Sequence, residues 1–264
     1  MSTAEFSDRD VAGHWNANAD AWAREVRQGH DVAREQMNNP AFLQLLGDLR
    51  DRDVLDAGCG EGYNTRLLAR AGARMTGVDI SERMIALAAE EERAAPLGIR
   101  YVCTAYTRLG MFAPGSFDAV VSFMAFMDGP GFDQAMTEIF RVLRPGGTLS
   151  FSITHPCFIV RGGQWMRDER GVKVAWIVRN YFTPLPWVDR WRFTDAPADA
   201  PEFSVPRFDR TLSEYVNAVL AAGFRLTRLE EPRPSEEYCQ AHPSQRGWRD
   251  HAALFLHVQA TKPA

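Results

Sequence analysis

An apolar run, Val54-Leu55-Asp56-Ala57, enters a turn of alternating glycines, Gly58-Cys59-Gly60-Glu61-Gly62, and a helical stretch follows at once. Seventeen residues after Gly62 a second apolar run ends on a carboxylate, Asp79 of Gly77-Val78-Asp79-Ile80-Ser81. Glycine lets backbone approach a ligand where a Cβ would collide. A carboxylate at the next strand end can accept hydrogen bonds from both hydroxyls of a ribose. The turn and the acid together point to a nucleoside-like ligand held at the end of a sheet.

The rest of the chain fits that frame. Residues 11–49 show helical spacing of apolar side chains, with Trp15 and Trp22 about two turns apart. Short apolar runs then alternate with helical stretches. Strands are predicted at 53–57, 74–78, 99–103, 117–122 and 148–154, and helices at 63–71, 81–93 and 132–143, Ser81 serving as a cap and Arg144-Pro145-Gly146-Gly147 as a stop. Strands alternating with helices predict a parallel sheet covered on both faces, with ligands beyond the carboxyl ends of the strands. Residues 58–62, Asp79, 104–106, 123–128 and His155 all follow strand ends and so converge on one edge. After His155 the pattern breaks: residues 156–210 are rich in Trp, Phe, Pro and Arg with little periodicity, too long a stretch for a plain loop. A helix at 212–222 and strands at 224–229 and 252–261 restore regular structure, joined by a polar stretch at 231–250. The organisation predicted is an N-terminal helical segment acting as a lid (1–50), a core (51–155), a cap insertion (156–210) and the C-terminal part of the core sheet (211–264).

A chain of 264 residues can bury a large core without staples. A net charge of −4 argues against a nucleic-acid surface, where a basic stripe is expected. Cys59, Cys103, Cys157 and Cys239 are scattered without a CxxC pair, and no disulfide framework is expected. Asp8, Arg9, Asp10, Asp20, Arg24 and Glu25 interrupt the first thirty residues, so no secretory leader is expected. The longest apolar stretch, around 119–127, is too short to span a bilayer. The expectation is a reduced, cytoplasmic enzyme without membrane or nucleic-acid partners.

The segments VLDAGCGEG, GVDIS, GSFDAVVS and RVLRPGG, in this order over about residues 53–154, resemble the class I S-adenosylmethionine-dependent methyltransferases. The resemblance implies a Rossmann-like, doubly wound α/β fold with a seven-stranded sheet and an antiparallel last strand, matched by a hairpin of 224–229 and 252–261. It also implies adenosylmethionine as cofactor and adenosylhomocysteine as its product. Carried over by residue, Gly58, Gly60 and Gly62 align with the loop under the methionine part. Asp56 aligns with the acid that steadies that loop and the cofactor's amino group, and Asp79 with the ribose-binding acid. Ile80 and Met84 fall where apolar side chains flank the adenine. Thr104-Ala105 aligns with a segment that often reads Asp-Ala, the threonine being a departure. Phe123 sits where the family meets the transferable methyl. His155-Pro156-Cys157-Phe158 is similar to a subset that looks like small-molecule methyltransferases, whose acceptor the resemblance leaves open.

Rival readings are weighed residue by residue. A nicotinamide dehydrogenase would want a small residue at Tyr63, where tyrosine obstructs helix–strand packing. His155 is read either as an anchor at a strand end or as a general base, and it is the one catalytic candidate carried forward. Asp128 is a second base candidate or the start of the Gly129-Pro130-Gly131 turn. The cap aromatics divide between lining the site and packing, and Trp15 and Trp22 are read as facing the core, the alternative being that one of them touches substrate. Arg161, Arg179, Arg190 and Arg192 are read as solvated, the alternative being bidentate bonds to an acidic substrate. No zinc set exists at usual spacing, so no metal is expected. The function expected is methyl transfer to a small-molecule N, O or C acceptor. The alternatives are an RNA or protein methyltransferase and a protein that binds the cofactor without turnover.

Overall fold

The structure, a computed structural model, describes residues 6–183, 185–193, 196–197 and 199–264. Thus a few positions of the 1–50 segment and of the 156–210 cap lie outside the described residues. In chain order, α1 (Asp8–Arg27), a π-helical turn (Arg34–Asn38) and α2 (Asn39–Leu46) precede β1 (Asp53–Ala57). Then come α3 (Tyr63–Arg70), β2 (Arg74–Asp79), α4 (Glu82–Ala94), β3 (Arg100–Cys103), β4 (Phe117–Phe123), α5 (Phe132–Val142) and β5 (Leu143–Thr154). Two hairpins follow, β6 (Gln164–Arg167) with β7 (Lys173–Ile177), and β8 (Trp187–Trp191) with β9 (Phe203–Arg207). The chain continues through α6 (Leu212–Ala221), β10 (Arg225–Glu230), α7 (Glu236–Ala241), a 3-10 turn (Pro243–Gln245), α8 (Arg246–Asp250) and β11 (Phe255–Thr261).

The main sheet has seven strands in the order β10-β11-β5-β4-β1-β2-β3. Its strands pair in parallel except at β11, which runs antiparallel to both β5 and β10. Successive side chains of a strand point to opposite faces, and β1 shows what that demands. Leu55 enters a core with Val120, Phe151, Met136 and Tyr215, while its neighbour Val54 enters another with Phe42, Leu68, Met75 and Val121. Both faces are therefore covered, which is why the central strands read as apolar runs instead of alternating. Ser81 caps α4 as its type predicts, its hydroxyl accepting from the Met84 amide at 3.1 Å.

Three boundaries differ from expectation. β5 begins at Leu143, not 148, because Leu143 leaves α5 in an extended conformation (φ −75°, ψ 142°) and pairs with Phe117. Gly146, at φ +77°, carries the turn inside that strand that its dipeptide signalled as a stop. β11 begins at Phe255, three residues after the expected 252. The polar stretch 231–250 is not a plain loop: α7, the 3-10 turn and α8 lie within it.

The two hairpins of the cap rest on different supports. β8–β9 packs on α1, where Trp22 meets Trp191, Phe193 and Phe203 with ring centroids 6.4, 5.1 and 5.4 Å away. β6–β7 instead clasps α8, with Trp248 set 4.7 Å from Trp165 and 4.8 Å from Trp176. Among the described residues no helix is long and apolar enough to cross a membrane.

Candidate functional site

The glycine turn after β1 is pulled against the end of β2. Gly58 and Cys59 both donate their amides to the Val78 carbonyl, at 2.8 and 3.0 Å, and Gly60 donates to Asp79 Oδ2 at 2.9 Å. A side chain at Gly58 (φ +84°) would put its Cβ 2.3 Å from that of Ala125, in the segment after β4. Gly60 (φ +54°) faces open space, so its bare backbone forms part of a cavity floor. Gly62 serves a different end: a Cβ there would lie 2.4 Å from Tyr101 Oη, so this glycine permits packing between the turn and β3.

Three carboxylates gather at this turn. Asp56 is 1% exposed; its Oδ2 accepts from the Thr65 hydroxyl at 2.6 Å, whereas its Oδ1 is buried with no partner. Burial, aided by the negative charges of Asp79 and Glu61, pushes its carboxyl up to about 7. Glu61 is also buried with Oε1 unpartnered, and burial raises it against the pull of Arg34. Asp79 accepts from the Ser81 and Gly60 amides at 2.8 and 2.9 Å, yet burial still raises it. The π-helical turn brings in one cation, Arg34. Its guanidinium lies 4.5 Å over the Tyr63 ring, and its buried Nε and Nη2 make no hydrogen bond, Nε standing 3.4 Å from Asp31.

These groups line a cavity of about 450 Å³, within the usual range of small-molecule sites. Asp56, Gly58, Gly60, Asp79, Ile80, Met84, Ala105 and Phe123 all line it; Gly62, Thr104 and His155 do not. Thr104 spends its hydroxyl on the Arg108 carbonyl at 3.0 Å, and Thr107 takes a place in the wall instead. His155 is 3% exposed, with both ring nitrogens engaged: Nδ1 accepts from the Cys157 amide at 3.2 Å, so Nε2 carries the proton donated to Glu231 at 2.7 Å. Burial lowers its proton affinity despite Glu231. The ring thus ties the start of the cap to the segment after β10, and no nitrogen is left to take a proton from a ligand.

Trp22, Trp191, Phe193 and Met127 also line this cavity, with Asp128, Asp189 and Arg207. Arg207 is held at two of its three nitrogens: Nε donates to Asp209 at 3.2 Å and Nη2 to the Thr154 hydroxyl and the Ile159 carbonyl, while Nη1 stands 3.8 Å from Asp189. Asp128 is buried, and its carboxylate accepts no hydrogen bond from a described residue. Burial pushes it up to about 7, with Arg207 opposing and Asp189 adding to the shift. Tyr238 and Gln245 reach the wall from the stretch expected to be a solvated loop. Arg34, Asp189, Arg207, Tyr238 and Gln245 escape the sequence reading because none follows a strand end of the parallel sheet. The only written hint at Asp189 and Arg207 is that each belongs to a short strand of the cap. Among the described residues no group of three or more His, Cys, Asp or Glu is placed to hold a metal.

A family described as a methyltransferase domain matches residues 55–151, from within β1 through most of β5. An uncharacterized protein of Haemophilus influenzae is 26% identical over 222 residues, 81% of this chain and 83% of that protein. A ubiquinone biosynthesis O-methyltransferase of Methylococcus capsulatus is 34% identical over 111 residues, so the match spans 47% of that enzyme's length, about half. Among solved structures, an S-adenosylmethionine-dependent methyltransferase from Mesorhizobium loti superposes with a TM-score of 0.69 at 28% identity, covering 84% of this chain and 96% of that one. A Burkholderia thailandensis 1,6-didemethyltoxoflavin N1-methyltransferase, at 17% identity and a TM-score of 0.58 over 100% of this chain and 94% of that one, shares the fold.

Proposed function

We infer that this class I S-adenosylmethionine-dependent methyltransferase carries methyl groups to a small molecule held under the aromatic roof of the cleft. The observation that supports this reading is that one cavity joins a carboxylate-rich turn of bare backbone to the aromatic side chains of α1 and β8–β9. A polymeric acceptor would instead call for an open groove lined with cations.

The floor fits the cofactor on this structure's own terms. Two buried carboxylate oxygens, Asp56 Oδ1 and Glu61 Oε1, lack a donor, and an ammonium would supply one. Asp79 retains lone pairs for a ribose diol beyond those given to Ser81 and Gly60. Ile80, Met84 and Ala105 offer an apolar slot for the adenine. Arg34, with two buried nitrogens free of hydrogen bonds, is the cation for the methionine carboxylate. Phe123 closes the floor toward the second chamber. When bound, adenosylmethionine supplies a methyl already activated by its sulfonium. The chain's residues then hold the acceptor in line and exclude water, effects worth about 7–11 kcal/mol. His155 belongs to the anchoring of the cap that does so.

The test is calorimetry with adenosylhomocysteine on the wild type and on Asp79→Ala. Losing two ribose hydrogen bonds should weaken binding about tenfold or more. Unchanged affinity removes the ribose assignment, and a wild type that does not bind at all removes the whole reading. Tritium transfer from methyl-labelled donor to small molecules, and not to RNA or protein, tests the acceptor class.

A further inference from the structure

The chamber beyond the cofactor floor has a charge and a surface that together select an acceptor. This step rests on the function proposed above and names its substrate class. Asp128 follows β4 by five residues, in a segment fixed to the cap by the Phe208 amide donating to the Met127 carbonyl at 2.8 Å. Its carboxylate is buried at the cavity wall, without a hydrogen bond from any described residue. The nearest cation, Arg207, is held by Asp209, Asp189, Thr154 and Ile159. Asp189 and Trp191, two apart on β8, present the same strand face to the cavity. Arg192 also lines the cavity, but it is exposed. The chamber therefore combines an uncompensated carboxylate with the rings of Trp22, Trp191 and Phe193, the surface that attracts a cation. An anionic acceptor would meet Asp128 with only the exposed Arg192 guanidinium, at the solvent side, to offset it.

We propose that the acceptor is a basic amine, whose ammonium is received by the Asp128 carboxylate and whose proton that carboxylate removes. The balance is simple. The primary ammonium gives one proton to Asp128 and becomes a neutral amine. Its lone pair forms the nitrogen–carbon bond to the methyl as the carbon–sulfur bond breaks, and those electrons stay on sulfur. The product leaves as a methylated ammonium, and Asp128 returns its proton to solvent once the chamber opens. Asp189 and the Tyr106 hydroxyl, which is buried without a partner, flank the Asp128 carboxylate, and that hydroxyl is a donor able to hold the carboxylate beside the ammonium.

Binding of 2-phenylethylamine to protein saturated with adenosylhomocysteine tests the proposal, with 2-phenylethanol and 3-phenylpropionate as neutral and anionic comparators of like shape. The amine should bind about tenfold or more tightly than the alcohol, and the propionate weakest. Asp128→Asn should abolish the preference while leaving adenosylhomocysteine affinity within about twofold, and Asp128→Glu should retain the preference. If Asp128→Asn does not fold, the amine-to-alcohol ratio on the wild type decides alone. The proposal is overturned if the alcohol or the propionate binds as well as the amine, if the amine does not bind, or if the preference survives in folded Asp128→Asn. Wild-type affinity for adenosylhomocysteine reports separately on the underlying function.

Discussion

Two buried histidines illustrate how position decides what an imidazole does. His155 follows a strand end at the cavity edge, the place where sequence suggests a base, yet both of its nitrogens are taken by Cys157 and Glu231. His257 of β11 is fully buried, giving its Nε2 proton to Asn38 Oδ1 at 2.9 Å while Nδ1 has no partner. Burial holds that ring neutral down to about 4, against an ordinary value of 6.5. The unfolded chain therefore binds this proton first as pH falls, and stability declines between 6.5 and about 4 by about 3 kcal/mol. His257→Gln should lack that decline, so its stability relative to wild type, by urea unfolding, should improve from pH 7 to pH 4 by about that amount. Asp56 has the opposite sign. Its carboxyl is pushed up to about 7, and an ammonium beside it selects the ionised form. Affinity for adenosylhomocysteine should accordingly rise as pH passes upward through about 7 and level off above, and a flat calorimetric titration series would remove Asp56 from the amino-group site. At this scale the sequence displays the residues whose place is set by the parallel-sheet rule, Asp56, Gly58, Gly60 and Asp79. It conceals Arg34, because a π-helical turn has no spacing signature and delivers a side chain that ordinary helical periodicity would send elsewhere.

Among elements, the strongest signals came from long periodic segments, and the misreadings came from short ones. α4 and α5 were legible because thirteen and eleven residues carry a full apolar stripe. α7 and α8, six and five residues long, hold too little periodicity to be told from a loop, and α8 is supported by Trp248, which packs on Trp165 and Trp176 of β6–β7. The aromatics of 156–210 mark a break in the βα pattern but not the two hairpins with separate supports found there, since pairing across a hairpin depends on contacts distant in sequence. Trp248→Ala removes the ring that joins β6–β7 to α8. It should cost about 3 kcal/mol of local stability. Hydrogen exchange should then quicken at 164–177 and 236–250, while the β8–β9 amides, held through Trp22, stay as in the wild type.

For the molecule as a whole, the uncompensated carboxylates of the floor mean that the ligand completes the fold. A ligand at one hundred times its dissociation constant adds about 2.7 kcal/mol, which for a chain of this size corresponds to a rise of about 5–10 °C in the unfolding midpoint. Adenosylhomocysteine should give that rise in the wild type and about half of it or less in Asp79→Ala at the same concentration, read by thermal unfolding. The seven-stranded sheet with its antiparallel last strand was legible, because alternation and the family the residues resemble imply it, whereas the strand order is set by pairings distant in sequence. What the order entails lies in time instead of space. β5, near the centre of the sheet, is flanked on one side by β11, which begins at residue 255, whereas β5 ends at residue 154. At about 5–20 residues per second, a ribosome leaves that edge bare for roughly 5–20 s. Throughout that interval the edge of β5 offers a row of unpaired N–H and C=O groups to any passing strand, so synthesis is the stage at which this architecture is open to wrong pairing.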